Sequence, residues 1–239
     1  LRAVLLAGLL FGLGLAHAQP RPLVMAIDSA TEMPMALVQD NQVVGGMNHA
    51  LGRVLAQRMG HELRYIAVPR KRVLEALERG DADFVCTYLP AWLPGPLQWS
   101  QAFFRQQDVL VTRAEVPAPR RLQDLRGQRI GTVLGFVYVE LERALEAEFL
   151  RDDAPNALAN LRKLAAGRLD HAVVEGRLLS HVLAQTQPAL KLHPRLPVSS
   201  LLTQCALGPK AAVSLAELNQ AIDVARRDGS LQALYARYD

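Results

Sequence analysis

The sequence predicts an α/β protein built as two similar lobes that face each other across a crevice. One observation is a repeated plan. Residues 74–88, LEALERGDADFVCTY, and residues 161–175, LRKLAAGRLDHAVVE, both read L-x-x-L-x-x-G-x-x-D. In each copy two leucines three apart mark the buried stripe of a helix, a glycine ends it in the left-handed conformation, and an aspartate opens a short apolar strand. A second observation is register: five residues past each aspartate stand Tyr88 and Glu175, so a polar side chain closes each strand at an equivalent point. If both strands lie in parallel sheets, their carboxyl ends point into the crevice. The third is composition, since 239 residues at 50% hydrophobic content are enough for one large core or two modest ones.

Taken in order, residues 1–18 form an apolar run behind Arg2 that ends in Ala16-His17-Ala18, which reads as a secretory signal with the mature chain starting near Gln19. No cysteine lies near that site, so a lipid anchor is not expected. Residues 23–27 are an apolar strand that stops at Asp28-Ser29, where the crevice begins. Residues 35–44 read as a hairpin turning at Asp40-Asn41, and residues 47–59 as an amphipathic helix stopped by Gly60. A strand over residues 63–68 leads through Pro69 into Arg70-Lys71-Arg72, cations that open the first repeat's helix against its dipole. After Tyr88, the proline-rich residues 89–99 carry Trp92 and Trp99 on a surface loop. The strand DVLVT, ending at residue 112, leaves the first lobe, and residues 113–121 form the boundary.

The second lobe opens with a short helix over residues 122–125 and a strand over 129–133. Gly135-Phe136-Val137 then precede a helix running to about residue 150, so the turn offers backbone donors to an anion. The second repeat follows, then a helix through residue 183 and strands near 190–192 and 201–207. Ser214 with Glu217 forms a capping box, and a last helix covers residues 231–238.

Formal charge is +4, but both signs are spread without a basic run, which argues against nucleic acid. The six histidines have no metal spacing, and neither a nucleophile elbow nor a zinc-protease motif is present. No metal, cofactor or catalytic residue is therefore expected. Cys86 and Cys205 each sit in an apolar stretch; two buried free thiols are expected, although export permits a bridge.

The order of these motifs resembles the family 3 periplasmic solute-binding proteins of the polar-amino-acid type. The resemblance rests on the first strand ending in Asp28, Met33-Pro34, the helix from Gly46, and the P-x-x-R-x-L-x-x-L-x-x-G-x-x-D run from Pro69. It continues in Trp99-Ser100 with Phe103-Phe104, the L-x-D-L-x-G-x-x-I-G run from Leu122, and the closing D-G-S-L-x-x-L-Y from Asp228. It implies a type II, two-lobed periplasmic-binding-protein-like fold with two hinge crossover strands. Lobe 1 would comprise residues 19–112 with 201–239, and lobe 2 residues 113–200. It also implies a monomer in the periplasm that hands a small solute to an ABC permease or a membrane sensor. In folds of this type the strands of Cys86 and Cys205 are neighbours, so proximity is expected.

The departures concern the ligand. The family arginine that holds an α-carboxylate is matched by Leu93, and the family Gly-Ser-Thr by Gly135-Phe136-Val137. The aspartate that receives the ammonium is matched by Glu175, and the aromatic clamp by Met35. Without a bidentate carboxylate partner an ordinary α-amino acid is disfavoured. The expected solute is a small organic anion or modified amino acid, held by Asp28, Met35, Arg70 and Tyr88 on one lobe and Gly135, Phe136, Val137 and Glu175 on the other. A cationic solute would instead engage Glu175, Asp28 and the loop tryptophans. The alternatives are an enzyme on the same fold, resembling cyclohexadienyl dehydratases with Glu175 as acid, and a periplasmic partner protein without a transport role.

Overall fold

A computed structural model of the protein describes residues 21–186 and 190–238; the signal segment expected over residues 1–18 lies outside them. Strand β1 (Leu23–Asp28) is an apolar run covered on both faces, as a strand inside a parallel sheet must be. The hairpin of β2 (Leu37–Gln39) and β3 (Gln42–Gly45) turns at Asp40 and Asn41. Both residues take positive φ, which their short polar side chains tolerate. Helix α1 (Met47–Met59) ends at Gly60, whose φ of 75° provides the predicted left-handed cap. Then come β4 (Leu63–Val68), a 3₁₀ turn over Arg70–Arg72, α2 (Val73–Arg79), β5 (Phe84–Tyr88), the short β6 (Gln98–Trp99) and the nine-residue β7 (Phe104–Thr112).

The remaining elements are β8 (Arg129–Val133), α3 (Val139–Leu145), β9 (Leu150–Ala154), α4 (Ala157–Ala165), β10 (His171–Glu175) and α5 (Gly176–Gln185). They are followed by β11 (Leu196–Leu207), α6 (Leu215–Arg227) and α7 (Ser230–Tyr238). Both repeats fold as predicted at their joints: Gly80 and Gly167 take φ of 81° and 67°, and Leu77, Leu161 and Leu164 are buried.

Strands run in the order β4-β1-β5-β11-β7-β10-β8-β9. The two ends share one plan. On one side β1 lies parallel to both β4 and β5; on the other β8 lies parallel to both β9 and β10. Between them β11 pairs antiparallel with β7 over residues 196–203 and with β5 over residues 204–207, while β7 pairs antiparallel with β10. These two long strands are the crossovers. Apolar clusters sit on both faces of each half: Met25, Leu51, Phe84, Phe104 and Ile222 in one and Val73, Leu77 and Val85 in its second layer. The other half packs around Ile130, Leu141 and Val173 on one face and Leu161, Ala172 and Leu179 on the other.

Four expectations change. Cys86 and Cys205 are joined as a disulfide rather than left as thiols, because antiparallel pairing of β5 with β11 places them directly opposite each other. Helix α3 stops at Leu145, and β9 follows a 3₁₀ turn, a strand that its charged sequence hides. As an edge strand it needs little apolar content, and its acids pair sideways: Asp152 with Arg129 and Lys163, Asp153 with Thr132. Strand β11 begins at Leu196 instead of residue 201, and Pro197 is accommodated at a register shift. Residues 190–192 contribute only a single bridge from Leu192 to Arg113.

Candidate functional site

Parallel strands deliver their last residues to one edge, so Asp28 of β1, Tyr88 of β5, Val133 of β8 and Glu175 of β10 all end at the crevice. A cavity of about 120 Å³ lies there, lined from both halves by residues including Asp28, Met35, Arg70, Tyr88, Phe136, Val137 and Glu175. Seven of the eight residues expected at the site thus meet in one space. Gly135 stands just behind it: with φ of 82° it packs where a Cβ would lie 3.6 Å from the Arg70 stem. Leu93, in the position matched to the missing arginine, is buried in an apolar cluster.

Arg70 reaches across the crevice. Its guanidinium carbon lies 4.2 Å from the Tyr88 ring centre, 4.5 Å from that of Phe136 on the opposite half, and 5.9 Å from that of Trp92. One nitrogen is 3.8 Å from Asp28. Aromatic faces carry the negative end of the ring quadrupole, so this is a cage for a cation. The Asp28 carboxylate accepts from the Ala30 amide through Oδ1, whereas Oδ2 has no hydrogen-bond partner. Burial pushes its pKa up, against the pull of the Ala30 amide and Arg70.

The opposite wall is acidic. Glu175 caps α5, accepting from the amides of Arg177 and Leu178 at 2.8 and 3.0 Å, with the Arg177 guanidinium 3.6 Å away. Burial dominates those favourable contacts and, with Asp108 nearby, raises Glu175 to about 7. Asp108 stands opposite Glu175 in the β7–β10 register and accepts from the Ser199 hydroxyl of β11 at 3.0 Å. Its carboxyl is also pushed up by burial. Glu32 takes the same direction for the same cause, while receiving the Leu158 amide of α4 from the other half at 2.9 Å.

Sequence reasoning missed Glu32, Asp108 and Asn48. Glu32 and Asn48 carry no motif; Asp108 had one weak signal, an acid leading an apolar strand. The pocket lining therefore carries four carboxyls, Asp28, Glu32, Asp108 and Glu175, against the single guanidinium of Arg70. Three buried polar atoms on its first-half wall, Asp28 Oδ2, Asn48 Oδ1 and the Tyr88 hydroxyl, have no hydrogen-bond partner among the described residues. Two of these are pure acceptors, so the wall is short of donors. Within the 134–137 turn the Leu134 amide donates to the Ala154 carbonyl and the Phe136 amide to that of Val133, and just beyond it the Tyr138 amide donates to Glu142. Thr87, a β-branched residue with φ of 63°, holds a sparsely populated backbone conformation beside Tyr88.

No family model and no curated protein matches the chain. Solved structures do. A histidine kinase sensor domain similar to periplasmic binding proteins aligns with a TM-score of 0.77 and 21% identity, covering 92% of this chain and 96% of that one. The substrate-binding protein of an amino acid ABC transporter aligns at 0.71 and 17%, covering 91% and 99%. The ancestral amino acid-binding protein AncCDT-1, described as a precursor of cyclohexadienyl dehydratase, aligns at 0.74 and 16%, covering 91% and 94%. At such identities the shared property is the fold, the two-lobed periplasmic-binding-protein fold.

Proposed function

We propose that the protein is a solute-binding receptor whose halves close on a small solute bearing an ammonium or similar cationic group. One observation carries the reading: the interlobe pocket has four carboxyls, all pushed toward protonation by burial, facing one guanidinium that aromatic rings already hold. A cation or zwitterion would relieve that imbalance and give hydrogen bonds to the acceptors that lack one, whereas a simple anion would deepen the carboxylate repulsion. The geometry thus favours the amino-acid-like solute over the organic anion. A calorimetric and thermal-shift screen over amino acids, amines, polyamines and carboxylates tests this. Amine-bearing solutes should give the strong shifts, and a response confined to dicarboxylates would sink the reading.

The same fold serves an importer component and a kinase sensor, and the proposed partner is a membrane protein of one of those kinds, engaged by a monomer. The disulfide supports an exported, oxidising location. The distribution of apolar clusters supports a lobe 1 interrupted by lobe 2, with Leu110 and Val111, just inside the proposed lobe 1 limit at residue 112, packing in the second half's clusters. Sequencing the mature N-terminus tests the location, with a start near Gln19 expected.

A second reading, an enzyme on this fold, has one specific observation in its favour. Glu175, raised to about 7 inside a cleft, is placed to protonate a leaving group at neutral pH. Incubation with a cyclohexadienyl acid, watched by the absorbance of an aromatic product, separates the two readings.

A further inference from the structure

We infer that the crevice's cation cage is already filled by the protein's own Arg70, a tethered guanidinium that occupies the place a ligand's cationic side chain would otherwise take. The parts of a cation site are all present around it. Two ring faces from opposite halves sandwich the guanidinium at 4.2 and 4.5 Å, a third ring lies at 5.9 Å, and a buried carboxylate stands at 3.8 Å. The Arg70 side chain is only 11% exposed, although it belongs to a residue that starts a helical turn.

Its placement is locally unfavourable. Arg70 opens the helical segment that continues as α2, where a cation opposes the helix dipole. Rings and the Asp28 carboxylate offset that cost, so the guanidinium is held by the cage rather than by its own element. Lys71 and Arg72, its neighbours in the same turn, are exposed. Gly135, whose φ of 82° favours glycine, lies against the Arg70 and Lys71 stems, which a Cβ there would meet in ordinary contact at 3.6 and 3.5 Å.

A consequence for selectivity follows, and it rests on the solute-binding reading. With the cage filled, the space left lies between Asp28, Asn48, Asp108 and Glu175, which fits a short amine-bearing solute. A solute whose own side chain ends in a guanidinium or long ammonium has nowhere to put it.

The test is chemical rescue with methylguanidinium chloride in the low millimolar range, against matched potassium chloride, using the full chain. Arg70→Ala should show a saturable rise in melting temperature that the unaltered protein and Arg72→Ala lack. Arg70→Met, which keeps the cage filled with apolar atoms, should not respond. L-arginine should bind Arg70→Ala at least about tenfold more tightly than it binds the unaltered protein. Equal responses in all proteins, or none in Arg70→Ala, would overturn the inference. If Arg70→Ala does not fold, the unaltered protein decides by NMR. The Arg70 δ protons should be displaced upfield by the Tyr88 and Phe136 rings and move back in Phe136→Leu; unshifted protons overturn the cage. Failure of the solute screen on the unaltered protein would reject the receptor reading alone, because methylguanidinium rescue needs no natural solute.

Discussion

The two repeats follow one local plan and end in opposite chemistry. In the first, α2 and β5 lead to Tyr88, which joins Phe136 in sandwiching a cation; in the second, α4 and β10 lead to Glu175, a carboxyl that caps α5 opposite Asp108. Their aspartates diverge as well. Asp83 is 1% exposed and gathers the Val24 and Ala212 amides at 2.7 and 2.8 Å with the Arg21 guanidinium at 2.6 Å. Asp170 is 49% exposed and, among the described residues, its carboxylate pairs with Arg113 alone, at 3.1 Å. A shared helix-to-strand joint therefore specifies where a side chain arrives, and the neighbouring strands decide what it does there.

The largest effect expected from breaking this comparison is at the disulfide, which ties β5 to β11 and has no counterpart at β10. The bridge closes a loop spanning a sequence separation of 119 residues. Reduction, or a double Cys→Ala variant, should cost on the order of 4–5 kcal/mol if the unfolded chain is unconstrained. Denaturant melts with and without reductant measure it, and coincident curves would show that the bridge adds nothing. Next, Asp83→Ala should destabilise by about 3 kcal/mol, because it strands two amides and a guanidinium. Asp170→Ala, the equivalent change in the other repeat, should cost under about 1 kcal/mol. Equal losses would mean that the motif itself, not its surroundings, sets the contribution.

The acidic wall predicts a pH dependence of the less usual sign. Glu175 in the folded protein is raised to about 7 from its ordinary value of 4.5, so between those limits the native state keeps a proton that the unfolded chain has lost. Stability therefore falls as pH rises through that window, and Asp28, Glu32 and Asp108, shifted in the same direction, add to the fall. The Arg177 guanidinium and the α5 amides oppose it without reversing it. Glu175→Gln should flatten the pH profile of the melting temperature; an unchanged slope would place the titration elsewhere. A cationic solute that needs ionised Glu175 should bind about tenfold more weakly at pH 6 than at pH 8, and a calorimetric titration at both values distinguishes it from an anion, whose affinity would move the other way.

Much of the frame was legible in the chain itself because short-range physics dictates it. The Gly60 cap, the Asp40-Asn41 hairpin turn, the Ser214–Glu217 capping box and the glycines of both repeats are requirements of backbone geometry, and they sit where the residues placed them. Strand β9 was hidden because an edge strand needs little apolar content. At the site, Asp28, Tyr88 and Glu175 were readable as strand-end positions. What they face was not. The caging of Arg70 by Phe136, the pairing of Asp108 with Glu175 and of Cys86 with Cys205, and the burial that raises four carboxyls all join residues far apart in the chain. Sequence by itself determined which strand-end side chains reach the crevice, since strand direction and turn chemistry are local. Only the tertiary structure decided their charge balance, because desolvation and through-space partners exist once the two halves meet.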